Sequence, residues 1–547
     1  MTTAPDLAVL AEYVADLRAR LTAPGAEFEL APGDVRGVEL PVFVNRRTSL
    51  RDWLVDSRSF GDRECVVQGE RRLTFADHHD TVAALATVFA DEYGVRPGDR
   101  VAILAANSPD WSVAFWAVAA LGGVAVAGNA WWTAREAVES LSRFDVRVVV
   151  ADERRAALLA DLDVPVLPIT DIASLTLTAD LPDSPRPDED DAAVVIFTSG
   201  TSGQPKGSVH SHRAMLSVIE LHRMSDAVVA EMAAANGLPP RTQPRRFLLS
   251  TPLFHIASLH NLTVPRLATG DTVVMDAGRF DADKVLRTVE AERITNWALV
   301  PTMAHRLVNH PGLENYDLST LAAMSINSAP SSPALKDRVR AAVPTVAMSL
   351  ADSYGLTECC TAATVASTVD LTLYPDSVGP AVASVQLRIC DPAGDVLPDG
   401  ESGEIQTRSQ FLMTGYWDDP AATAAAIDRD GWLHTGDIGY LRDERLFLSS
   451  RRTDLILRGG ENVYPAEIEA VLDEHPDVRE CAVYGVDDDD LGQTVAAIVV
   501  GEADVETLRA YCAERLAYFK VPSRWTVTTE PLTRTATGKV VRRALPR

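Results

Sequence analysis

The chain is short of basic charge, sparing with cysteine and without a long unbroken apolar run. Its 547 residues carry 51 Lys and Arg against 77 Asp and Glu, a formal net charge of −26. That sign argues against general nucleic-acid binding and against attachment to anionic lipid, both of which want a basic surface. The pairs Arg451-Arg452 and Arg542-Arg543 are local exceptions. Six cysteines are scattered, none in a Cys-x-x-Cys pair, and the adjacent Cys359-Cys360 lacks the spacing with which such a pair chelates zinc. Scattered cysteines in a long chain read as reduced core residues in a cytoplasmic compartment. The first residues show no basic, then apolar, then small-residue pattern, so no secretory signal is expected. The most apolar stretch, Val113 to Ala127, is shorter than the roughly 20 residues a membrane span needs. Gly122-Gly123 interrupts it. It reads as a buried helix, a turn and a buried strand.

What is present points to a large globular α/β protein. Apolar residues make up 46% of the chain, and its length calls for two or more domains. Residues 1 to about 45 read as a helical segment with Leu7, Leu10, Val14, Leu17 and Leu21 near helical spacing, followed by a loop. A helix is expected from Ser49, a hairpin turn at Glu70-Arg71, and another helix from Thr74-Phe75. Val101–Leu104, Val124–Ala127 and Val146–Val150 are short apolar strands separated by helical stretches, the pattern of βαβ units in a parallel sheet. His78-His79-Asp80 lies within a helical stretch, where sequence neighbours do not share a face. It reads as a surface histidine pair rather than a metal or acid–base site. Asp180 to Asp191 holds three prolines and six acidic residues and reads as a linker. Val228 to Arg246 is a second candidate for an exposed excursion.

The chemistry gathers around Thr198-Ser199-Gly200-Thr201-Ser202-Gly203-Gln204-Pro205-Lys206-Gly207. An apolar run, Ala192 to Phe197, leads into it, as a buried strand leads into a loop. Three glycines let backbone N–H groups turn toward an anion, four hydroxyls add donors, and Lys206 adds positive charge. That inventory suits nucleotide phosphates. The Walker pattern needs a second glycine directly before its lysine, where this chain has Pro205, so this is a phosphate loop of another kind.

Further along, Ser328-Ala329-Pro330 follows a probable strand, and Asp352-Ser353-Tyr354-Gly355-Leu356-Thr357-Glu358 follows another. Small residues there let a flat base approach the backbone, an aromatic ring can stack on it, Asp352 can accept from an adenine amino group, and Glu358 offers hard oxygen to Mg²⁺. Trp432-Leu433-His434-Thr435-Gly436-Asp437 supplies a carboxylate able to accept from two ribose hydroxyls, and Arg451 follows. Gly459-Gly460-Glu461-Asn462-Val463-Tyr464-Pro465 forms a tight loop before a helix opened by proline. Two strands (Cys481–Val486 and Val495–Val500) and a helix through Leu508, Cys512 and Leu516 complete a small α+β unit. Asp487 to Asp490 reads as a solvated turn. Thr533-Arg534-Thr535-Ala536-Thr537-Gly538-Lys539 ends the sequence of motifs.

These stretches, in this order, resemble the adenylate-forming superfamily, and the Gly-Gly-Glu-Asn-Val-Tyr-Pro string resembles its acyl-CoA synthetase branch. The resemblance covers about residues 50 to 545. It implies an α/β fold: a large N-terminal adenylate-forming domain with βα sheets, 1–449 (1–45 being an extension), and a small mobile α+β C-terminal domain, 450–547. It implies that Thr198, Ser199, Gly200, Thr201, Ser202, Gly203 and Lys206 hold the phosphates of ATP. Ser328, Ala329, Pro330, Asp352, Tyr354, Gly355 and Thr357 would surround the adenine, while Asp437 and Arg451 would hold the ribose. Glu358 would bind Mg²⁺. Lys539, with Thr357 and Glu358, would be catalytic. Gly459 and Gly460 would leave room for the pantetheine arm of coenzyme A, and His255, Ser258 and Asn327 would line the acyl pocket, near Asn261. The residue matching the hinge is Thr453, where the family usually carries Asp or Lys.

The implied reaction has two steps. A carboxylate attacks the α-phosphorus of ATP, giving an acyl-adenylate and pyrophosphate; then the thiol of coenzyme A takes the acyl group and AMP leaves. The expected acid is a medium- or long-chain fatty acid. Two alternatives stay open: an acyl-AMP ligase that loads a carrier protein, and a ligase for an aryl or other carboxylate. The chain ends eight residues after Lys539, which favours a free-standing ligase, and a homodimer is compatible with it. A nucleotide-binding sensor that has lost catalysis is a reading of another class, opposed by the intact Lys206, Glu358, Asp437 and Lys539.

Overall fold

The structure, a computed structural model, describes residues 7–198, 205–276, 278, 280–328, 331–451, 454–458, 461–488, 491–535 and 540–545. Most of the N-terminal part is built on two large sheets. In the first, Ala192–Thr198, Val124–Ala127, Arg100–Leu104, Val146–Ala151 and Val166–Pro168 run parallel, each beside the next. The central strands are covered on both faces, which is why they read as continuous apolar runs. Lys206–Ser211 and Gly415–Tyr416 extend this sheet antiparallel. In the second, Leu350–Tyr354, Ala323–Ile326, Asn296–Leu299, Arg246–Leu249, Thr272–Met275 and Glu64–Gln68 are parallel, with antiparallel edges at Thr364–Ala366 and Arg71–Thr74.

The helix Pro109–Ala120 accounts for the most apolar stretch. Ser108 caps it, accepting from Trp111 N, and Trp111, Phe115 and Trp116 are buried in the core it shares with Phe75–Asp91. Gly122 (φ +68) makes the turn into Val124–Ala127. No helix among the described residues is long and apolar enough to cross a membrane.

A third, antiparallel sheet runs in the order Ser377–Pro380, Arg445–Arg451, Leu433–Arg442, Gly403–Arg408, Gln386–Cys390. The small C-terminal domain has its own sheet, Glu461–Val463, Ile456–Arg458, Gly492–Gly501 and Val478–Asp488, with Arg524–Thr528 parallel to Gly492–Gly501. Helices Pro465–Asp473 and Val505–Ala513 bury Ile468, Leu472, Leu508 and Cys512 against it. Pro465–Asp473 also packs against Pro333–Ala342 of the large domain.

Three expectations need correction, and a fourth gains detail. The extension is a helix, Leu7–Leu21, but a hairpin replaces the loop: Leu30–Val35 pairs with Val38–Phe43 through Arg36 (φ +54) and Gly37 (φ +84). Positive φ at both turn residues matches the twist of the flanking strands. Prolines 32 and 41 disguise the strands in sequence. His78 and His79 are buried, not surface residues, because the neighbouring helix supplies a partner: His78 Nε2 meets Ser112 Oγ at 3.2 Å, and His79 Nδ1 meets Asp80 at 2.9 Å. The excursion after Val228 is exposed, as expected, but its first part is helical: His212–Ala235 runs on through the alanine-rich stretch, as alanine's helix propensity favours, residues 236–245 form no helix or strand, and Arg246 opens a strand. In the solvated turn, Asp487 and Asp488 belong to a strand; Asp489 and Asp490 lie outside the described residues.

Candidate active site

The two strands that flank the expected phosphate loop pair with each other. Ala192–Thr198 and Lys206–Ser211 pair antiparallel, with Thr198 and Lys206 as partners at the base of the loop. Ser199, Gly200, Thr201, Ser202 and Gly203 lie outside the described residues. Gly207 allows the hairpin to sit close to its neighbours: a Cβ there would meet Val195 Cγ1 at 2.8 Å and the Phe144 ring at 3.0 Å.

The Lys206 ammonium lies 4.9 Å from the centre of the Tyr416 ring. The hydroxyl of that tyrosine donates to Glu358 Oε1 at 2.7 Å. Glu358 sits in the turn Thr357–Cys359, just beyond the strand Leu350–Tyr354, and its carbonyl accepts from Met413 N at 2.9 Å. Tyr416 therefore joins the lysine of one motif to the carboxylate of another. Burial, and the facing Glu358 carboxylate after it, push the phenol above its ordinary value, so it stays a donor. Sequence reasoning missed Tyr416; Gly415-Tyr416-Trp417 matches none of the motifs, and only its pairing with Ser208 reveals it. The N-terminal hairpin supports this loop too: Arg36 donates to the carbonyls of Met413 and Leu412.

Ala323–Ile326 and Leu350–Tyr354 are parallel neighbours, so their carboxyl ends lie together, where open α/β sheets bind ligands. Asn327 and Ser328 emerge from the first, with Ser328 at φ +71; Ala329 and Pro330 lie outside the described residues. Tyr354 ends the second. It is buried, and its hydroxyl donates to Asp437 Oδ2 at 2.8 Å. Burial first, then the charge of Asp437, raises its pKa well above the ordinary value. Asp437 lies opposite Arg451 across adjacent strands. Gly355 admits the returning chain: a Cβ would meet Thr361 O at 2.7 Å.

Two of the expected site residues have protein partners. Asp352 is buried within the strand, and Oδ2 receives both Lys336 Nζ at 2.9 Å and Ser331 Oγ at 2.7 Å, while Oδ1 accepts from Ser353 N. These contacts anchor the strand end. Ser258 is fully buried, with Oγ 2.6 Å from Thr251 Oγ1. His255 is half-buried beside Phe254, ring centres 4.6 Å apart. Asn261 is tied to Thr361 at 2.5 Å and to the Cys360 carbonyl.

Gly459, Gly460, Thr453 and Lys539 lie outside the described residues, but the ends of their loops do not. Arg458 and Glu461 are strand partners across 459–460, and Arg534 and Val540 bridge across 536–539. Burial first, then the charge of Arg338 and, least, that of Arg534 lower the imidazole of His305, in the large-domain helix Pro301–Val308, to about 4.

Residues 55–417 match the family described as AMP-binding enzyme, and residues 467–539 match the AMP-binding enzyme C-terminal domain. The chain belongs to the AMP-binding enzymes. It is 33% identical over 523 residues to the 3-[(3aS,4S,7aS)-7a-methyl-1,5-dioxo-octahydro-1H-inden-4-yl]propanoyl:CoA ligase of Rhodococcus jostii, spanning 89% of this chain and 96% of that one. It is 33% identical over 489 residues to the long-chain-fatty-acid–CoA ligase FadD13 of Mycobacterium tuberculosis, spanning 87% and 92%. Among solved structures it is similar to o-succinylbenzoate CoA synthetase (MenE) of Bacillus subtilis in complex with the acyl-adenylate intermediate OSB-AMP. That match has a TM-score of 0.76 and 28% identity, and covers 91% of this chain and 98% of that one. This AMP-binding enzyme is thus an AMP-forming ligase of the CoA-ligase branch, acting through an acyl-adenylate.

Proposed function

We propose that the enzyme joins a medium- or long-chain fatty acid, or a carboxylic acid carrying a ring, to coenzyme A. The observation that carries the nucleotide side of this reading is the Lys206–Tyr416–Glu358 chain on one side and the Tyr354–Asp437 pair on the other. The two named ligases support the acid side, one acting on a long-chain fatty acid and one on a fused-ring propanoate. The candidates His255, Asn261 and Asn327 include no arginine and no carboxylate that would demand a charged acyl tail.

In this reading Lys206 and the loop before it neutralise the phosphates, Asp437 holds the ribose with Arg451, and Tyr354, Gly355 and Ser328 border the base. Glu358 fits a magnesium ion: among the described residues one of its carboxylate oxygens is bonded to Tyr416 and the other takes no hydrogen bond, and hard carboxylate oxygen suits that ion. Bound there, magnesium would neutralise charge on the nucleotide. Lys539 bridges the acid's carboxylate and the phosphate during adenylation. It need not act as a base, because a carboxylic acid is already ionised at neutral pH. The Gly459-Gly460 loop then serves the thiol step, the small domain moving between the two. We place the division between domains at 449/450. The six free cysteines, five of them buried, support a reducing, cytoplasmic setting.

Incubation with ATP, magnesium and a panel of aliphatic and ring-bearing acids, with and without coenzyme A, tests this by product mass. Acyl-CoA with AMP and pyrophosphate is the expected outcome. Acyl-adenylate that forms but never passes to coenzyme A would replace it with the carrier-loading reading.

A further inference from the structure

Three side chains that the nucleotide site does not use converge behind it. His210 lies on the strand Lys206–Ser211, His260 on the turn Leu259–Thr263, and Cys360 directly after Thr357–Cys359. All three are fully buried. One potential ligand atom from each lies within 4.8 Å of the other two, and the imidazoles meet edge to face with centres 4.9 Å apart.

The hydrogen bonds decide which nitrogen of each ring keeps a lone pair. Ser208 Oγ donates to Met413 Sδ at 3.1 Å, so its oxygen accepts from His210 Nε2 at 3.2 Å. His210 Nδ1 is then a bare acceptor without a partner among the described residues. His260 Nδ1 donates to the Cys360 carbonyl at 3.2 Å, which leaves Nε2 equally bare and equally unpartnered. The Cys360 sulfur is 3.3 Å from the same Nδ1. A buried polar atom without a partner costs about 1–3 kcal/mol, and each of the two rings carries one. Each ring has its other nitrogen anchored to a protein oxygen, the outer contact that orients metal-bound imidazoles.

We propose that the imidazoles of His210 and His260 and the thiol of Cys360 form a binding site for zinc. Two imidazoles and a thiol, with no carboxylate, suit a soft or borderline cation and not magnesium or calcium. Bonds of about 2.0 Å to nitrogen and 2.3 Å to sulfur place tetrahedral ligands roughly 3.3–3.6 Å apart, and one candidate atom from each residue already lies within 4.8 Å of the others. The thiol proton leaves to solvent as the sulfur–metal bond forms. The lone spacing of Cys359-Cys360 does not chelate zinc; the fold supplies the other donors from two distant segments. The bound ion ties the strand behind Lys206 to the segment that carries Glu358.

Metal-free full-length protein, dialysed against zinc with a competing chelator, gives bound zinc per chain by mass spectrometry. Cobalt in place of zinc reports the ligands through its tetrahedral d–d bands and its near-ultraviolet thiolate band. One zinc per chain and a thiolate-bearing cobalt spectrum are expected, with Cys360→Ser and His210→Phe each weakening zinc at least about 100-fold. Thermal melting of the metal-free variants separates a lost ligand from a lost fold, and the cobalt spectrum of the unaltered chain needs no variant. No zinc retained, no thiolate band, or unchanged zinc affinity in folded variants would overturn the proposal. None of these readouts involves an acid or coenzyme A, so they stand apart from the substrate reading.

Discussion

Tyr416 donates its hydroxyl to Glu358 at 2.7 Å while its ring faces the Lys206 ammonium at 4.9 Å. One side chain thus sets the distance between the cation of the phosphate hairpin and the carboxylate of the adjoining turn. A hydrogen bond to a charged group contributes about 1.5–3 kcal/mol. Tyr416→Phe keeps the ring and loses that bond, so it should slow pyrophosphate exchange about 10- to 100-fold with little change in melting temperature. Tyr416→Leu removes the ring as well and should also raise the KM for ATP. Unchanged exchange in the phenylalanine variant would dissociate Tyr416 from adenylation.

Lys336 and Asp352 form a buried ion pair at 2.9 Å, each side chain only 3% exposed. Removing one partner strands a charge in the interior, a loss of about 3–5 kcal/mol. Lys336→Met should therefore melt well below the parent chain, and adding Asp352→Asn should restore part of the loss. If the single variant melts like the parent, the pair does not hold the strand end.

Asp473 lies where the small domain meets the large one. Burial raises its carboxyl to about 6, with Glu469 on its own helix adding to the rise, against smaller lowering contributions from Cys481, Ser332 and Arg338. The sign follows from protons bound: between the ordinary carboxylate range and pH 6 the native state holds a proton that the solvated group has released. The contribution of this group is therefore greatest below that window and falls as pH rises through it, by about 2–3 kcal/mol from a shift of this size. Buried histidines such as His305 and His212, lowered to about 4, act in the opposite sense over the same range, so the test is the difference between two chains: Asp473→Asn should gain stability relative to the parent as pH rises from 4 to 7. A difference that does not change with pH would contradict the burial of a neutral carboxyl there.

The sequence carried the parallel strands well, because central strands covered on both faces must be continuously apolar, and Val124–Ala127 and the Val148–Ala151 part of Val146–Ala151 in the same sheet are. Caps were legible for the same local reason: Thr74 and Asp77 cap each other at the start of a helix, as Thr-x-x-Asp suggests. Contacts between distant segments were not legible. Nothing near His78 in sequence announces Ser112 as its partner, nothing near Asp352 announces Lys336 on the helix that follows Ser331, and the Leu30–Val35 hairpin hides behind two prolines. Glu358 and Lys206 stood out by motif, but Tyr416, which connects them, has no motif and becomes visible only when its strand pairs beside Ser208.

The central claim is that the acid's carboxylate attacks the α-phosphorus of ATP. An acid that the enzyme accepts, labelled with ¹⁸O in both carboxylate oxygens, tests this directly when AMP, ADP and inorganic phosphate are weighed after turnover with coenzyme A. One labelled oxygen in AMP, and none in phosphate, is the expected result, because breaking the acyl-adenylate leaves that oxygen on phosphorus. Label in inorganic phosphate with ADP as the co-product would place the attack at the terminal phosphorus and contradict the account.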